Sequence, residues 1–101
     1  MLAARHILLE YGRSRKRGAE DAWWLARELR ARVMDGESFA DLASAYSDCP
    51  SRAEGGSLGV FLRGDMDRDF EEALLQLEVG QVSAPVRTVN GIHLIRREAV
   101  I

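Results

Sequence analysis

Several things are scarce in this 101-residue chain, and each scarcity excludes something. There is one cysteine, Cys49, so no internal disulfide can form. A reducing compartment suits that thiol, although a lone cysteine also stays reduced elsewhere. There are two prolines, Pro50 and Pro85, and no Pro/Ser-rich, repetitive or low-complexity stretch that would divide the chain. No run approaches the roughly 18 apolar residues that a membrane-spanning helix needs. The first residues lack the basic, apolar and small-residue zones of a secretory leader. If Met1 is the native start, the expected location is the cytoplasm; otherwise the chain reads as a domain cut from a larger exported protein. An excess of one charge is also missing. The net charge is −2, without the basic surplus a nucleic-acid binder usually carries, so neither nucleic acid nor membrane is an expected partner. One local exception is the run Arg13-Ser14-Arg15-Lys16-Arg17.

What remains is an ordinary globular composition, 47% apolar and 30% charged. A chain this long buries roughly two thirds of the surface exposed by its unfolded form, enough for one core without staples. Residues 1–101 therefore read as a single domain.

Along the chain, Ile7-Leu8-Leu9 after His6 reads as a first strand within 1–10. Ala22, Leu25, Ala26, Leu29 and Val33 recur at helical spacing over 19–35, and Asp35-Gly36 supplies the stop. Ser38 opens a second helix in an approximate capping box with Asp41, carrying the stripe Phe39, Leu42, Ala43 and Tyr46. Pro50 can start a short helical turn. After Gly55-Gly56, the alternation Leu58, Val60, Leu62 against Gly59 and Phe61 suggests a short, irregular strand. Phe70, Ala73, Leu74 and Leu77 predict another helix, capped by Asp67 or Asp69 and ending just before Gly80. Asn90-Gly91 between two strand-like runs predicts a closing two-residue hairpin. The expected class is α+β, with helices packed on a small sheet.

Seven blocks in this order resemble the parvulin family of peptidyl-prolyl cis/trans isomerases. They are Ala4-Arg5-His6-Ile7-Leu8-Leu9, Gly36 to Ala43, Tyr46 to Ser51, Gly55 to Phe61, Arg63 to Ala73, Val79 to Val86, and Gly91-Ile92-His93-Leu94-Ile95. The resemblance covers residues 5–97. It implies a four-stranded antiparallel sheet surrounded by four helices in the order β-α-α-α-β-α-β-β. The implied activity is rotation of the peptide bond before proline in peptides and unfolded segments, with no metal and no organic cofactor. His6 and His93 match the family's paired histidines, expected on neighbouring central strands. Cys49 matches a Cys-or-Asp position at the cleft rim, and Thr88 a threonine bonded into the histidine network. Leu58, Met66 and Phe70 match the pocket for the proline ring, and Phe61 extends its wall. Asn90 departs from the family, which often has an aromatic residue or serine there.

Plainer readings stand beside these. By residue type alone, His6 and His93 are core histidines, and with Cys49 they are also metal-ligand types, though no short ligand spacing or fourth ligand accompanies them. Met66 and Phe70, four apart, are ordinary helix-entry core. Adjacent Trp23 and Trp24 point to different helix faces, so at least one is expected at the surface. The basic run Arg13, Arg15, Lys16 and Arg17 is a solvated loop, or, in the resemblance, a loop above the cleft that prefers acidic or phosphorylated residues before proline. Cys49 as a nucleophile competes with noncovalent twisting of the amide. A catalytically weak peptide-binding or chaperone module is the alternative to an enzyme, and the intact set of site residues favours the enzyme.

Overall fold

A computed structural model describes residues 1–13, 15 and 17–101. Four strands, β1 (Leu2–Leu9), β2 (Ser57–Phe61), β3 (Val86–Thr88) and β4 (Gly91–Arg97), form one sheet in the order β2-β1-β4-β3. Every neighbouring pair is antiparallel. The helices are α1 (Ala19–Met34), α2 (Phe39–Tyr46) and α3 (Arg68–Leu75), with a 3-10 helix at Pro50–Glu54. The 3-10 helix occupies the third helical place of the expected order, and Pro50 stands in its first turn. The class and strand layout are those expected.

Strand geometry explains how the core divides. Successive side chains of a strand point to opposite faces. On β1, Ile7 and Leu9 join Ala22, Ala26, Leu29, Leu42, Ile92 and Leu94 in a core beneath α1 and α2. The alternate residues Leu2 and Ala4 join Phe61, Phe70, Leu74 and Ile95 in a second core beneath α3. Because both faces are covered, β1 is buried along nearly its whole length. His6 and Leu8 belong by this alternation to the α3 face.

The element ends follow local chemistry. Ser38 caps α2, its hydroxyl accepting the Asp41 amide at 3.2 Å. Asp67 caps α3, accepting the Asp69 amide at 2.9 Å. At the end of α1, Gly36 takes a φ of +104° while its amide bonds Val33 and that of Glu37 bonds Arg32, the left-handed stop expected there.

Three boundaries differ from the sequence reading. α3 ends at Leu75, short of Gly80, because the amides of Gln76 and Leu77 bond the carbonyls of Ala73 and Leu74 in a tightened last turn. Gly80 lies instead inside a separate turn, third of the four residues closed by the Gln81 amide on the Glu78 carbonyl. In the closing hairpin Thr88 pairs with Gly91, so the loop residues are Val89 and Asn90. No non-glycine residue has positive φ among the described residues, which denies Asn90 the conformation of an Asn-Gly turn. Instead the Thr88 hydroxyl accepts the Asn90 amide at 3.1 Å. Gly91 is required for another reason: a Cβ there would lie 2.6 Å from the Leu9 carbonyl oxygen. Third, β2 does not alternate simply. Gly59, at a φ of +69°, interrupts it; Leu58 and Phe61 pack into the same core, and Val60 and Leu62 are exposed.

Candidate active site

The site starts from the register of the two central strands. His6 pairs with Ile95 and Leu8 with His93, so the two histidines are diagonal neighbours on the α3 face. Both are buried. Their Nδ1 atoms stand 3.0 Å apart, and their rings stack at 5.2 Å. Thr88, on β3 beside β4, brings its hydroxyl to 2.7 Å from His93 Nε2. Phe70 of α3 covers both imidazoles in edge-on contact, at 5.7 Å from His6 and 5.4 Å from His93.

Burial decides the charge state. It lowers the His6 pKa to about 4, helped by repulsion from His93. Burial also lowers His93 to about 4, against a smaller upward pull from the Asp67 carboxylate. At neutral pH both rings are therefore uncharged. One Nδ1 must donate to the other. If the Thr88 hydroxyl donates to His93 Nε2, His93 Nδ1–H donates to His6 Nδ1, and His6 Nε2–H becomes the free end. The reverse tautomers oblige the Thr88 hydroxyl proton to find another acceptor. Hydrogen-bond accounting favours the first arrangement. His6 Nε2 is buried with no protein partner among the described residues.

The apolar residues converge beside this chain. Leu58, Phe61, Met66 and Phe70 belong to one cluster, with Phe61 and Phe70 buried and Leu58 and Met66 partly exposed. Gly56 sets the approach of the β2 entry to β1. Its carbonyl accepts the His6 amide at 3.0 Å, and a Cβ there would meet the His6 carbonyl oxygen at 2.4 Å.

Cys49 stands apart from the bonded set. The expected four-member network has three members, because the thiol makes no hydrogen bond to either imidazole among the described residues. Its backbone is held elsewhere. Buried Ser47 accepts the amides of Leu8 and Cys49, and the Asp48 amide donates to the Leu8 carbonyl at 2.7 Å. Segment 47–49 thus continues the sheet edge where β2 leaves off. The sequence gives no sign of this anchoring role, since one serine after a helical stripe resembles any loop serine.

The basic run is partly committed. Arg17 clips onto Asp48 at 2.6 Å and onto the Glu10 carbonyl, and Arg15 pairs with Glu10. Arg13 is exposed. Lys16 lies outside the described residues. Asn90 is exposed, and its backbone amide, bonded to Thr88, ties it to the network. Among the described residues no group of three or more His, Cys, Asp or Glu could hold a metal ion, and no helix is long and apolar enough to cross a membrane.

The family model described as Rotamase, PPIC-type PPIase domain, matches residues 6–99. This chain belongs to the parvulin-type peptidyl-prolyl cis/trans isomerases. The reaction of such a parvulin domain is rotation about X–Pro peptide bonds. A peptidyl-prolyl cis-trans isomerase pin1 of Rhizopus delemar is 39% identical over 107 residues, covering 95% of the chain and 71% of the relative. The chaperone SurA of Chromohalobacter salexigens is 45% identical over 95 residues, covering 93% of the chain but 21% of the relative. Among solved structures, the peptidyl-prolyl isomerase ESS1 of Candida albicans superposes with a TM-score of 0.90 at 31% identity, covering 97% of the chain and 62% of its own. The parvulin domain thus spans most of the first relative and about a fifth of the second.

Proposed function

We propose that this domain twists X–Pro bonds noncovalently, gripping the proline ring in the Leu58, Phe61, Met66 and Phe70 cluster beside the neutral His6–His93–Thr88 chain. The observation that carries this reading is the pair of buried imidazoles bonded to each other and capped by Phe70. The uncatalysed barrier is about 18–20 kcal/mol. A thousandfold acceleration needs only about 4 kcal/mol of transition-state stabilisation. Rotation breaks amide resonance and leaves a less polarised carbonyl. Uncharged, apolar surroundings favour that state over the planar amide, whereas an imidazolium would stabilise the more polar planar form. Neutral histidines fixed by hydrogen bonds supply oriented dipoles without a full charge.

Covalent attack by Cys49 has less support, because no imidazole bonds to its thiol among the described residues. The substrates are proline-containing segments of flexible or unfolded proteins. With Arg15 paired to Glu10, exposed Arg13 is, among the described residues, the cation of this loop that favours an acidic residue before proline. Equal turnover of Glu-Pro and Ala-Pro peptides at low salt would remove that preference.

The test is cis/trans exchange NMR on peptides with Ala, Leu, Glu or phosphoserine before proline. Acceleration by the wild type, lost in Met66→Ala and kept in Cys49→Ser, is the expected result. Binding without acceleration would overturn the catalytic reading and leave a peptide-holding module.

A further inference from the structure

One flank of α1 takes no part in the site. Trp23, Arg27, Arg30 and Met34 follow one another at helical spacing, each one residue on from the α1-side core positions Ala22, Ala26, Leu29 and Val33. They form a stripe turned about 100° from the core. Trp23 and Met34 are 36% and 61% exposed, and neighbouring Trp24 is 59% exposed. Segment 80–85 runs beside the stripe, and Arg30 Nε donates across to the Ser83 carbonyl at 3.1 Å. Two concavities open along this line. One, of about 920 Å³, lies toward Met34 and Gln81; the other, of about 420 Å³, lies between Trp23, Arg27 and Pro85. Arg30 and Ala84 line both, so the two are halves of one groove. It lies on the α1/α2 side of the sheet, across from the imidazoles.

We propose that this groove docks an extended partner segment carrying a carboxylate among apolar side chains. Charge supports that occupant. Arg5 and Arg96 pair with Glu98, and Arg32 pairs with Glu37. Among the described residues Arg27 and Arg30 have no carboxylate within ion-pair distance. What sets this pair apart is position: both guanidiniums line the same concavity as the exposed Trp23. Both are held in orientation. Arg27 lies over the Trp24 ring at 5.3 Å, and Arg30 is anchored through Nε to Ser83. A guanidinium fixed this way presents its remaining N–H groups as a ready fork for a carboxylate, at less entropic cost than a free one. Trp23 and Pro85 supply the flat apolar surface, and Trp and Arg are the side chains that dominate binding hot spots. Occupancy here leaves the proline cleft open, so a segment can be held while an X–Pro bond turns elsewhere.

Both tryptophans of the chain sit on this helix, Trp23 lining the groove and Trp24 beneath Arg27, so their fluorescence responds to its occupancy. The full chain is titrated with a proline-free peptide alternating Glu with Phe and Leu, and with its Gln counterpart. The expected result is a saturable emission change with the Glu peptide. Binding should be about tenfold weaker for the Gln peptide and for Arg27→Glu, the size of one charge-assisted hydrogen bond. X–Pro exchange should be unchanged in Arg27→Glu, an exposed position outside the cleft. Equal binding of the Gln peptide, or undiminished binding by Arg27→Glu, overturns the proposal. A response to anionic phospholipid vesicles but to neither peptide also overturns it and assigns the stripe to a membrane surface.

Discussion

Acid should unfold this domain earlier than its carboxylates alone require. The chain contains only two histidines, and both are buried at the site. Each has a folded pKa of about 4 against an ordinary 6.5. A base whose pKa is depressed by folding binds its proton more readily in the unfolded chain, so stability is complete above 6.5 and lost as pH falls toward 4. At pH 5 the folded rings remain mostly neutral while the unfolded ones are charged, which costs about 2 kcal/mol per histidine and roughly 4 kcal/mol for the pair. That sum is a large part of the roughly 5–15 kcal/mol that stabilises a small domain. Urea unfolding at pH 7.5, 6.5, 5.5 and 5 should show the loss, most of it before carboxylates titrate. Nitrogen-15 NMR of the two imidazoles, read on the folded protein, should find both neutral at pH 5, with His93 protonated at Nδ1. Either ring titrating near 6.5 in the folded state would refute the reasoning, as would a stability flat between pH 7.5 and 5.

Other perturbations probe the supports of the site. Thr88→Val keeps the shape but removes the hydroxyl; the buried His93 Nε2 loses its partner, a cost of about 1–3 kcal/mol, and the imidazole nitrogen shifts should show the tautomer preference weakening. Phe70→Leu removes two edge contacts to the imidazoles, each worth about 0.5–1.5 kcal/mol, and should slow X–Pro exchange beyond its effect on urea stability. Gly56→Ala meets the His6 carbonyl at 2.4 Å with φ at +83°, so it should cost upwards of about 2 kcal/mol. Gly59→Ala has positive φ but open space around its Cβ, and chemical denaturation should find it clearly milder.

Much of the fold was legible because the signals were local. Helical spacing at 22, 25, 26, 29 and 33, the Ser38 cap, Pro50 and the glycine stop at 36 depend on neighbours within one or two turns, and each appears where the pattern set it. The errors fell where local preference met a distant partner. Asn90-Gly91 resembles a tight turn, yet the pairing of Thr88 with Gly91 moves the loop back by one residue, because Gly91 must pass close to the Leu9 carbonyl. Leu58, Val60 and Leu62 look like one face of a strand, but positive φ at Gly59 turns Phe61 into the core.

The site divides in the same way. Residue types and their order along the chain determined the α+β class, the family and the candidate residues. Tertiary structure alone decided which of them touch. The antiparallel register of β1 and β4 sets His6 diagonal to His93 across 87 residues of chain, and the packing of α3 above them excludes water and removes their charge. It also leaves Cys49 outside that network, held by Ser47 at the sheet edge. A sequence can specify an imidazole, but its protonation state depends on the solvent it loses and the partner it gains, and both are supplied by the fold.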